Sequence, residues 1–144
     1  MSNDQVIGDQ VIVVGVDGSP ESDSAVDWAR SVATDGARIV LVHAWEIPIV
    51  TGYDIVLPID SREIEEIATK TLDEQVTRLA DDRVEGVLAQ GHAGRALVAT
   101  ADERDAGVIV VGHRGRGRMS MMLGSTANYV LHHGQRPVVV IRGE

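Results

Sequence analysis

The sequence predicts a single α/β domain in which a parallel sheet is covered by helices on both faces. Short apolar segments recur along the 144 residues, segments of helical periodicity separate them, and no linker is long enough to divide the chain into two domains. Strands that are apolar throughout suit the interior of a parallel sheet. Residues 1–9 are polar and are predicted to be a flexible N-terminal segment, so that the domain covers residues 10–142.

The first strand and the first helix are separated by a short polar turn. Val11–Val16 is a continuous valine-rich run, which is typical of a strand buried on both faces. Ser19 can cap a helix that begins at Pro20, because serine accepts a hydrogen bond from the first turn and proline suits the first helical position. Apolar residues then recur at helical spacing until Gly36, which is predicted to end the helix.

Two further strand–helix units follow. Ile39–Trp45 is predicted to be a second buried strand, and the irregular stretch 46–60 contains two prolines that argue against a helix. Ser61 is predicted to cap a long helix that extends to about Asp82, since apolar residues trace one face of it. The next strand and helix are predicted at Val84–Gln90 and at about Arg95–Asp105.

The C-terminal part is predicted to hold the last two strands. Val108–Val111 is a short apolar run between two glycines, and it is followed by a glycine-rich loop. Ser125–His133 has a helical pattern that Gly134 is predicted to close, and Pro137–Ile141 is predicted to be the fifth strand. The helices and strands therefore alternate over the whole domain.

The charge distribution favours a small anionic ligand over a polymer. The chain carries 13 Lys and Arg against 22 Asp and Glu, a net charge of −9, which disfavours binding to nucleic acid or to an anionic membrane. The loop after the fourth strand differs from this background, because Arg114, Arg116 and Arg118 lie within five residues. No acidic residue occurs between Gly107 and Glu144.

Several classes of site are excluded or disfavoured by composition. The chain has no cysteine, which excludes disulfides, cysteine zinc sites and thiol catalysis. The N-terminus has no secretory pattern and no apolar run is long enough to span a bilayer, so a cytoplasmic location is expected. No Ser–His–Asp order or carboxylate pair stands out as a catalytic centre, and no histidine spacing indicates a metal site.

The loop after the fourth strand has the outline of a phosphate-binding arrangement. Gly112, Gly115 and Gly117 permit close approach of a ligand to the backbone, and Gly124 leads into the helix that begins at Ser125. Free N–H groups at a helix start bind anions. Two alternatives stand beside this hypothesis: the glycines form plain turns, and the arginines are simply solvated.

Several ordered segments together resemble the universal stress protein family. The resemblance covers Val11 to Arg142, and it implies a flavodoxin-like or Rossmann-like three-layer fold, with strand order 3-2-1-4-5, and a homodimer. The C-terminal strand Pro137–Ile141 is then an edge strand that can pair with its copy across a two-fold axis. The segments that carry the resemblance are Val14-Gly15-Val16-Asp17-Gly18-Ser19, His43-Ala44, Gly91, Val110-Val111-Gly112-His113-Arg114-Gly115, Leu123-Gly124-Ser125 and Pro137-Val138-Val139-Val140.

The family's ATP-binding branch has the pattern Gly-x2-Gly-x9-Gly-Ser/Thr, which this chain meets with one departure. Gly112 and Gly115 fit its first part and Gly124-Ser125 its end, but the segment between them has eight residues instead of nine. The loop can absorb the shortening, since Gly117 adds flexibility. Alternatively, the shortening displaces the helix start from the phosphates.

The resemblance implies a set of contacts with ATP. Asp17 is expected to hydrogen-bond the ribose hydroxyls, Ala44 to meet adenine through its backbone, and the metal, Mg²⁺ or Mn²⁺, to be held mainly by the phosphates. Asp17 could instead only cap the turn before Gly18, because aspartate is common in turns. The residues implied for the ribose and base are Gly15, Val16, Asp17, Ala44 and Gly112. Those implied for the phosphates are Gly115, Gly124, Ser125 and Thr126.

Two functions are carried forward from the sequence. The first is an ATP-binding homodimeric regulatory protein of the stress response, with an unknown protein partner and at most slow ATP hydrolysis. The second is a dimeric signalling or interaction module of the same fold that does not bind ATP or that prefers AMP or cyclic AMP. An enzyme that transfers adenylate or hydrolyses phosphate has the least support.

Overall fold

The computed structural model describes residues 10–47, 60–113 and 123–143. The predicted flexible segment 1–9, most of the irregular stretch 46–60, the three loop arginines and Gly115 lie outside the described residues. The elements are β1 (Val11–Gly15), α1 (Pro20–Val32), β2 (Arg38–Trp45), α2 (Ser61–Leu79), β3 (Val84–Gln90), α3 (Ala93–Glu103), β4 (Val108–Gly112), α4 (Ser125–His133) and β5 (Val138–Ile141).

The described strands form one parallel sheet in the order β3-β2-β1-β4-β5, as the resemblance implied. In the centre of the sheet, Val13 of β1 lies opposite Val40 of β2 and Ile109 of β4. The chain winds outward in one direction from β1 through β2 and then in the other through β4, so the winding reverses between β1 and β4. A crevice at the carboxyl ends of these two strands is where such folds bind ligands.

The core consists of two aliphatic layers, one on each face of the sheet. Alternate residues of β1 divide between them: Ile12 and Val14 pack with α1 and α2, whereas Val13 packs with α3 and α4. Ile12, Val13 and Val14 are fully buried. Because the chain has no phenylalanine, branched aliphatic residues and alanine fill the space between sheet and helices.

Two helix starts differ from the sequence-based expectation. Ser61 is the first residue of α2 and not its cap; Asp60 is the N-cap, and its carboxylate accepts a hydrogen bond of 3.0 Å from the Arg62 N–H. An acidic cap also complements the positive end of the helix dipole. Similarly, α3 begins at Ala93 and not near Arg95, since the His92 ring acts as its cap.

Several element ends also differ. The first helix ends at Val32, before Gly36, and α2 ends at Leu79 because Ala80 adopts a left-handed conformation with φ of 48°. Ala80 has no glycine-like signal in the sequence, so the end was placed too late, at Asp82. The third helix likewise ends at Glu103 and not Asp105.

The ends of β1 and β5 were predicted one residue too long. The first strand ends at Gly15, although the Val16 N–H still donates to the Val42 carbonyl at 3.0 Å. The last strand begins at Val138, and the carbonyl of Pro137 accepts from the Ile109 N–H at 2.9 Å. The predicted cap at Ser19 is confirmed, since its hydroxyl accepts from the Ser22 N–H at 3.2 Å.

Candidate functional site: the crevice between β1 and β4

A small cavity lies where the carboxyl ends of β1 and β4 meet the first turns of α1 and α4. Its enclosed volume is about 40 Å³, room for only a few water molecules. It collects residues from five separate segments of the chain, which is what the reversal of winding at this edge produces. The lining residues are Gly15, Val16, Asp17, Ser19, Ser22, Val42, Ala93, Val111, Gly112, Gly124, Thr126 and Ala127.

Asp17 holds the turn between β1 and α1. Its Oδ1 accepts a hydrogen bond of 2.9 Å from the Ser19 N–H, and its own N–H donates to the Ser22 hydroxyl at 3.4 Å. The Ser22 hydroxyl donates in turn to the Ser19 carbonyl at 3.0 Å. The turn-capping alternative for Asp17 is therefore observed, and the same carboxylate side chain also lines the cavity.

Two glycines of the crevice lie in close packing contacts, and the contact at Gly112 is with backbone. A Cβ at Gly112 would lie 2.8 Å from the Glu21 Cβ and 3.2 Å from the Glu21 carbonyl carbon. A Cβ at Gly15 would lie 2.9 Å from the Leu97 Cδ1. Gly112 thus allows the first turn of α1 to approach the end of β4 closely.

The first turn of α4 is not capped by a side chain. Gly124 is its N-cap residue and offers no side-chain acceptor, whereas the other helices of the described ranges are capped by Ser19, Asp60 and His92. The Gly124 N–H donates to the His113 carbonyl at 2.8 Å, which fixes both ends of the loop after β4. The first-turn N–H groups of α4 have no intrahelical partner, so they suit an anion at the cavity.

The structure brings most of the predicted site residues together. Ser125 is the exposed first residue of α4, next to Gly124 and Thr126 in the cavity wall. Ala44 is not part of the wall: it lies in β2 opposite Ala89, two residues beyond the lining residue Val42. The predicted residues that line the cavity are Gly15, Val16, Asp17, Gly112, Gly124 and Thr126.

A second, open groove of about 580 Å³ lies between β2 and α2. Asp17 lines both spaces, and the groove also contains His43 and Trp45, the two neighbours of Ala44. His43 is partly buried and its Nδ1 lies 3.1 Å from the Val16 carbonyl oxygen, so the ring donates there. The histidine is therefore held by the backbone of the crevice.

Six residues of the cavity wall were not among the predicted site residues: Ser19, Ser22, Val42, Ala93, Val111 and Ala127. Ser22 is in the first turn of α1, and its spacing of three residues from the cap Ser19 is the signal that could have identified it. Ala93 was missed because the predicted start of α3, at about Arg95, is two residues too late. Helix starts after parallel strands meet at the same edge of the sheet, so a correct start would have placed Ala93 there.

The strongest pKa perturbation lies at the opposite edge of the sheet. Bonds from the Arg83 guanidinium hold the pKa of the Asp81 carboxyl well below its usual range, and Arg30 adds a further bond.

Within residues 10–47, 60–113 and 123–143, no group of three or more acidic or histidine side chains is arranged to hold a metal ion. In the same ranges, none of the helices combines the length and the apolar character needed to cross a bilayer.

Comparison with known proteins identifies the family. The profile of the universal stress protein family matches residues 10–142. No curated protein matches the sequence. Among solved structures, universal stress protein UspA from Lactobacillus plantarum matches with a TM-score of 0.74 at 19% identity, over 94% of this chain and 99% of that chain.

Two further solved structures contain nucleotides. A universal stress protein in complex with cAMP matches with a TM-score of 0.65 at 25% identity, over 94% of this chain and 98% of that chain. The universal stress protein from Archaeoglobus fulgidus in complex with dAMP matches with a TM-score of 0.61 at 27% identity, over 90% and 95%. The family profile covers nearly all of the chain, and the observed strand order is the one that the resemblance implied: the chain belongs to the universal stress protein family.

Proposed function

We propose that this protein binds an adenine nucleotide, ATP in the first instance, in the crevice between β1 and β4. The observation that carries the proposal is the convergence of a carboxylate, Asp17, with the uncapped first turn of α4 at one edge of the sheet. A nucleotide needs both: an acceptor for its ribose hydroxyls and N–H donors for its phosphates.

The two spaces that meet at Asp17 suit the two ends of a nucleotide. The cavity beside Gly124 and Thr126 is too small for a whole nucleotide, so it would take only part of the phosphate group. The open groove beside His43 and Trp45 has room for the base and sugar. Asp17 lies between them, where the ribose would be.

The residues present fit phosphate chemistry. The N–H groups of the first turn of α4 and the Thr126 hydroxyl supply donors, and the helix dipole favours negative charge at this end. A divalent cation bound by the phosphates would neutralise part of their charge. Ser125 and Gly115 remain predicted contacts of the phosphates, and Ala44 remains a predicted contact of the base.

The relatives support adenine nucleotides as the ligand class. The solved universal stress proteins in complex with cAMP and with dAMP share the fold with this chain at 25% and 27% identity. They also favour a second candidate, a module of the same fold that prefers a monophosphate or cyclic nucleotide. In both candidates the protein acts as a homodimeric, cytoplasmic regulatory domain over residues 10–142, and catalysis is not required.

One experiment tests the function and separates the candidates. Nucleotide released from freshly purified, denatured protein is identified by mass spectrometry, and calorimetric titrations then compare ATP with Mg²⁺, AMP and cyclic AMP. Retained ATP, or the highest affinity for ATP, supports the first candidate. Preference for AMP or cyclic AMP supports the second, and no heat with any of the three contradicts nucleotide binding at this crevice.

A further inference from the structure

The N-terminus of α3 is capped by a histidine ring that must be neutral to do so. The Nδ1 of His92 accepts hydrogen bonds from the Gly94 N–H at 3.1 Å and from the Arg95 N–H at 3.4 Å. Acceptance requires a lone pair on Nδ1, so the ring proton resides on Nε2. A protonated imidazole has two donors and no acceptor, and it cannot make either bond.

The ring is packed between α3 and α4. Its centroid lies 5.0 Å from that of Tyr129, and Tyr129 contacts the His133 ring on its other side at 4.1 Å. A Cβ at Gly94 would lie 2.7 Å from the Tyr129 Cδ1 and 2.9 Å from the His92 Cε1. Because the His92 ring contacts Tyr129 of α4, a displacement of this ring changes a contact between the two helices.

The same two helices form part of the crevice. Ala93, the residue after the cap, lines the cavity, and α4 contributes Thr126 and Ala127 to it. The capping bonds and the cavity wall are therefore adjacent along one turn of α3. Because His92 directly precedes Ala93, a displacement of His92 acts on a residue of the cavity wall.

The charged groups around His92 act on its protonation in opposite senses. Arg95 lies on the same helix, and a positive ring at the start of α3 meets the positive end of the helix dipole. On α4 the ring faces Tyr129, with His133 beyond it. Glu46, after β2, and Glu103, at the end of α3, line the same open groove of about 660 Å³ as His92 and Arg95, and their negative charges favour a positive ring.

We infer that His92 is a pH-sensitive cap through which acidification loosens the start of α3 and weakens ligand binding at the adjoining crevice. Histidine changes its charge between about pH 5 and pH 8. The neutral ring stabilises the folded state, so its contribution is present at the upper end of this range and is lost as the pH falls. The binding half of this inference rests on the proposed function, whereas the cap itself does not.

The cap is tested on the protein without nucleotide. Urea unfolding of the parent protein and of His92→Asp is compared at about pH 8 and about pH 5.5, since aspartate accepts as a cap at both values. The folded-to-unfolded ratio of the parent should fall about fivefold more than that of His92→Asp, the ratio that corresponds to a typical cap. An equal fall in both proteins overturns the cap.

A control separates His92 from the other ring near Tyr129. His133→Gln removes the second histidine of the cluster and should retain the pH dependence of the parent. The amide signals of Gly94 and Arg95, followed by NMR, should shift with the titration of His92 in the parent and in His133→Gln. A pH dependence that disappears in His133→Gln assigns the effect to His133 and overturns the role of His92.

The coupling to the crevice is tested by calorimetry with ATP and Mg²⁺ at the same two pH values. The parent should lose at least about threefold more affinity than His92→Asp on acidification, and the titration of ATP itself affects both proteins equally. Identical losses overturn the coupling. If neither protein binds ATP at either pH, the coupling fails with the proposed function, and the unfolding comparison still decides whether His92 is a pH-sensitive cap.

Discussion

Asp17 uses one carboxylate oxygen, Oδ1, to hold the turn before α1, so its replacement affects more than a ligand. The residue-scale test therefore needs two variants. Asp17→Asn keeps a carbonyl oxygen for the Ser19 N–H and removes the charge, whereas Asp17→Ala removes both. The comparison separates the observed turn from the proposed contact with ribose.

We expect Asp17→Ala to weaken ATP binding by about 1.5–3 kcal/mol, the range for hydrogen bonds to a charged group. This corresponds to roughly a 10- to 150-fold rise in Kd by calorimetry. Asp17→Asn should also weaken binding while its unfolding transition stays close to that of the parent. The control is Asp27→Asn on the exposed side of α1, which should leave Kd unchanged. If Asp17→Ala binds ATP with the affinity of the parent, Asp17 holds the turn before α1 and does not contact the ribose.

Asp81 is a structural carboxylate at the other edge of the sheet. Its side chain is only 9% exposed, and it accepts from Arg83 at 2.7 and 2.9 Å and from Arg30 of α1 at 3.2 Å. These bonds join α1 to the turn before β3. They also hold the pKa of Asp81 well below its usual range.

We expect Asp81→Asn to lower the free energy of unfolding by about 1.5–3 kcal/mol near neutral pH. Because the folded-state pKa is lowered, the contribution is complete above the unfolded-state pKa of about 3.9 and declines as the pH falls toward the folded-state value. The difference between parent and variant in urea unfolding should therefore shrink from about pH 5 downward. Asp82→Asn, an exposed neighbour, is the control. A difference that stays constant with pH would contradict the ion-pair origin.

At the scale of elements, the start of α4 is the element end that best fits the proposed binding of phosphate. It lacks the side-chain cap that α1, α2 and α3 have, and it borders the crevice. A negative charge placed there has opposite effects in the two roles of a helix N-terminus: it stabilises the helix, and it repels a bound anion.

We expect Ser125→Glu to raise the free energy of unfolding by about 0.3–1 kcal/mol through the helix dipole. The same substitution should weaken ATP binding roughly fivefold or more, since like charges about 4 Å apart repel by about 1–4 kcal/mol near a protein surface. Ser125→Gln, which is neutral and similar in size, should change neither quantity much. Equal loss of ATP and adenosine binding would show that the phosphates are not at α4.

At the scale of the whole molecule, β5 is the edge strand through which a dimer is predicted. The bonds from Ile109 to Pro137 and from His113 to Ile141 show which side of the strand faces β4. Because backbone groups alternate along a strand, Val139 also faces β4, and Val138 and Val140 present their N–H and C=O groups at the free edge.

We expect Val140→Pro to weaken the predicted dimer and to leave the pairing of β5 with β4 intact, because proline removes a donor only from the free edge. Both copies lose a hydrogen bond, so the dimer dissociation constant should rise roughly 5- to 150-fold. Light scattering over a concentration series measures this change. Val140→Ala keeps the N–H and should retain the parent's dimer. A monomeric parent, or equal behaviour of both variants, would contradict pairing through β5.

The sequence by itself determined the fold class, the five strand segments and half of the residues that line the crevice. Strands such as Val11–Gly15 are apolar on both faces, and helical periodicity lies between them, so the parallel sheet follows from local patterns. The carboxyl ends of parallel strands share one edge, which brought Asp17, Gly112 and Gly124 together as predicted. The strand order came from the resemblance to the family and was confirmed.

Only the tertiary structure decided how that edge is built. The cap at His92 depends on a ring that Tyr129 packs against, and the glycines at 15 and 112 depend on Leu97 and Glu21 from distant helices. Such contacts join residues far apart in the chain, and their geometry is set by strand register and helix packing. Spacing along the sequence carries the period of an element, but it does not carry the distance between two elements, which is why it did not show that Ala44 lies outside the cavity wall.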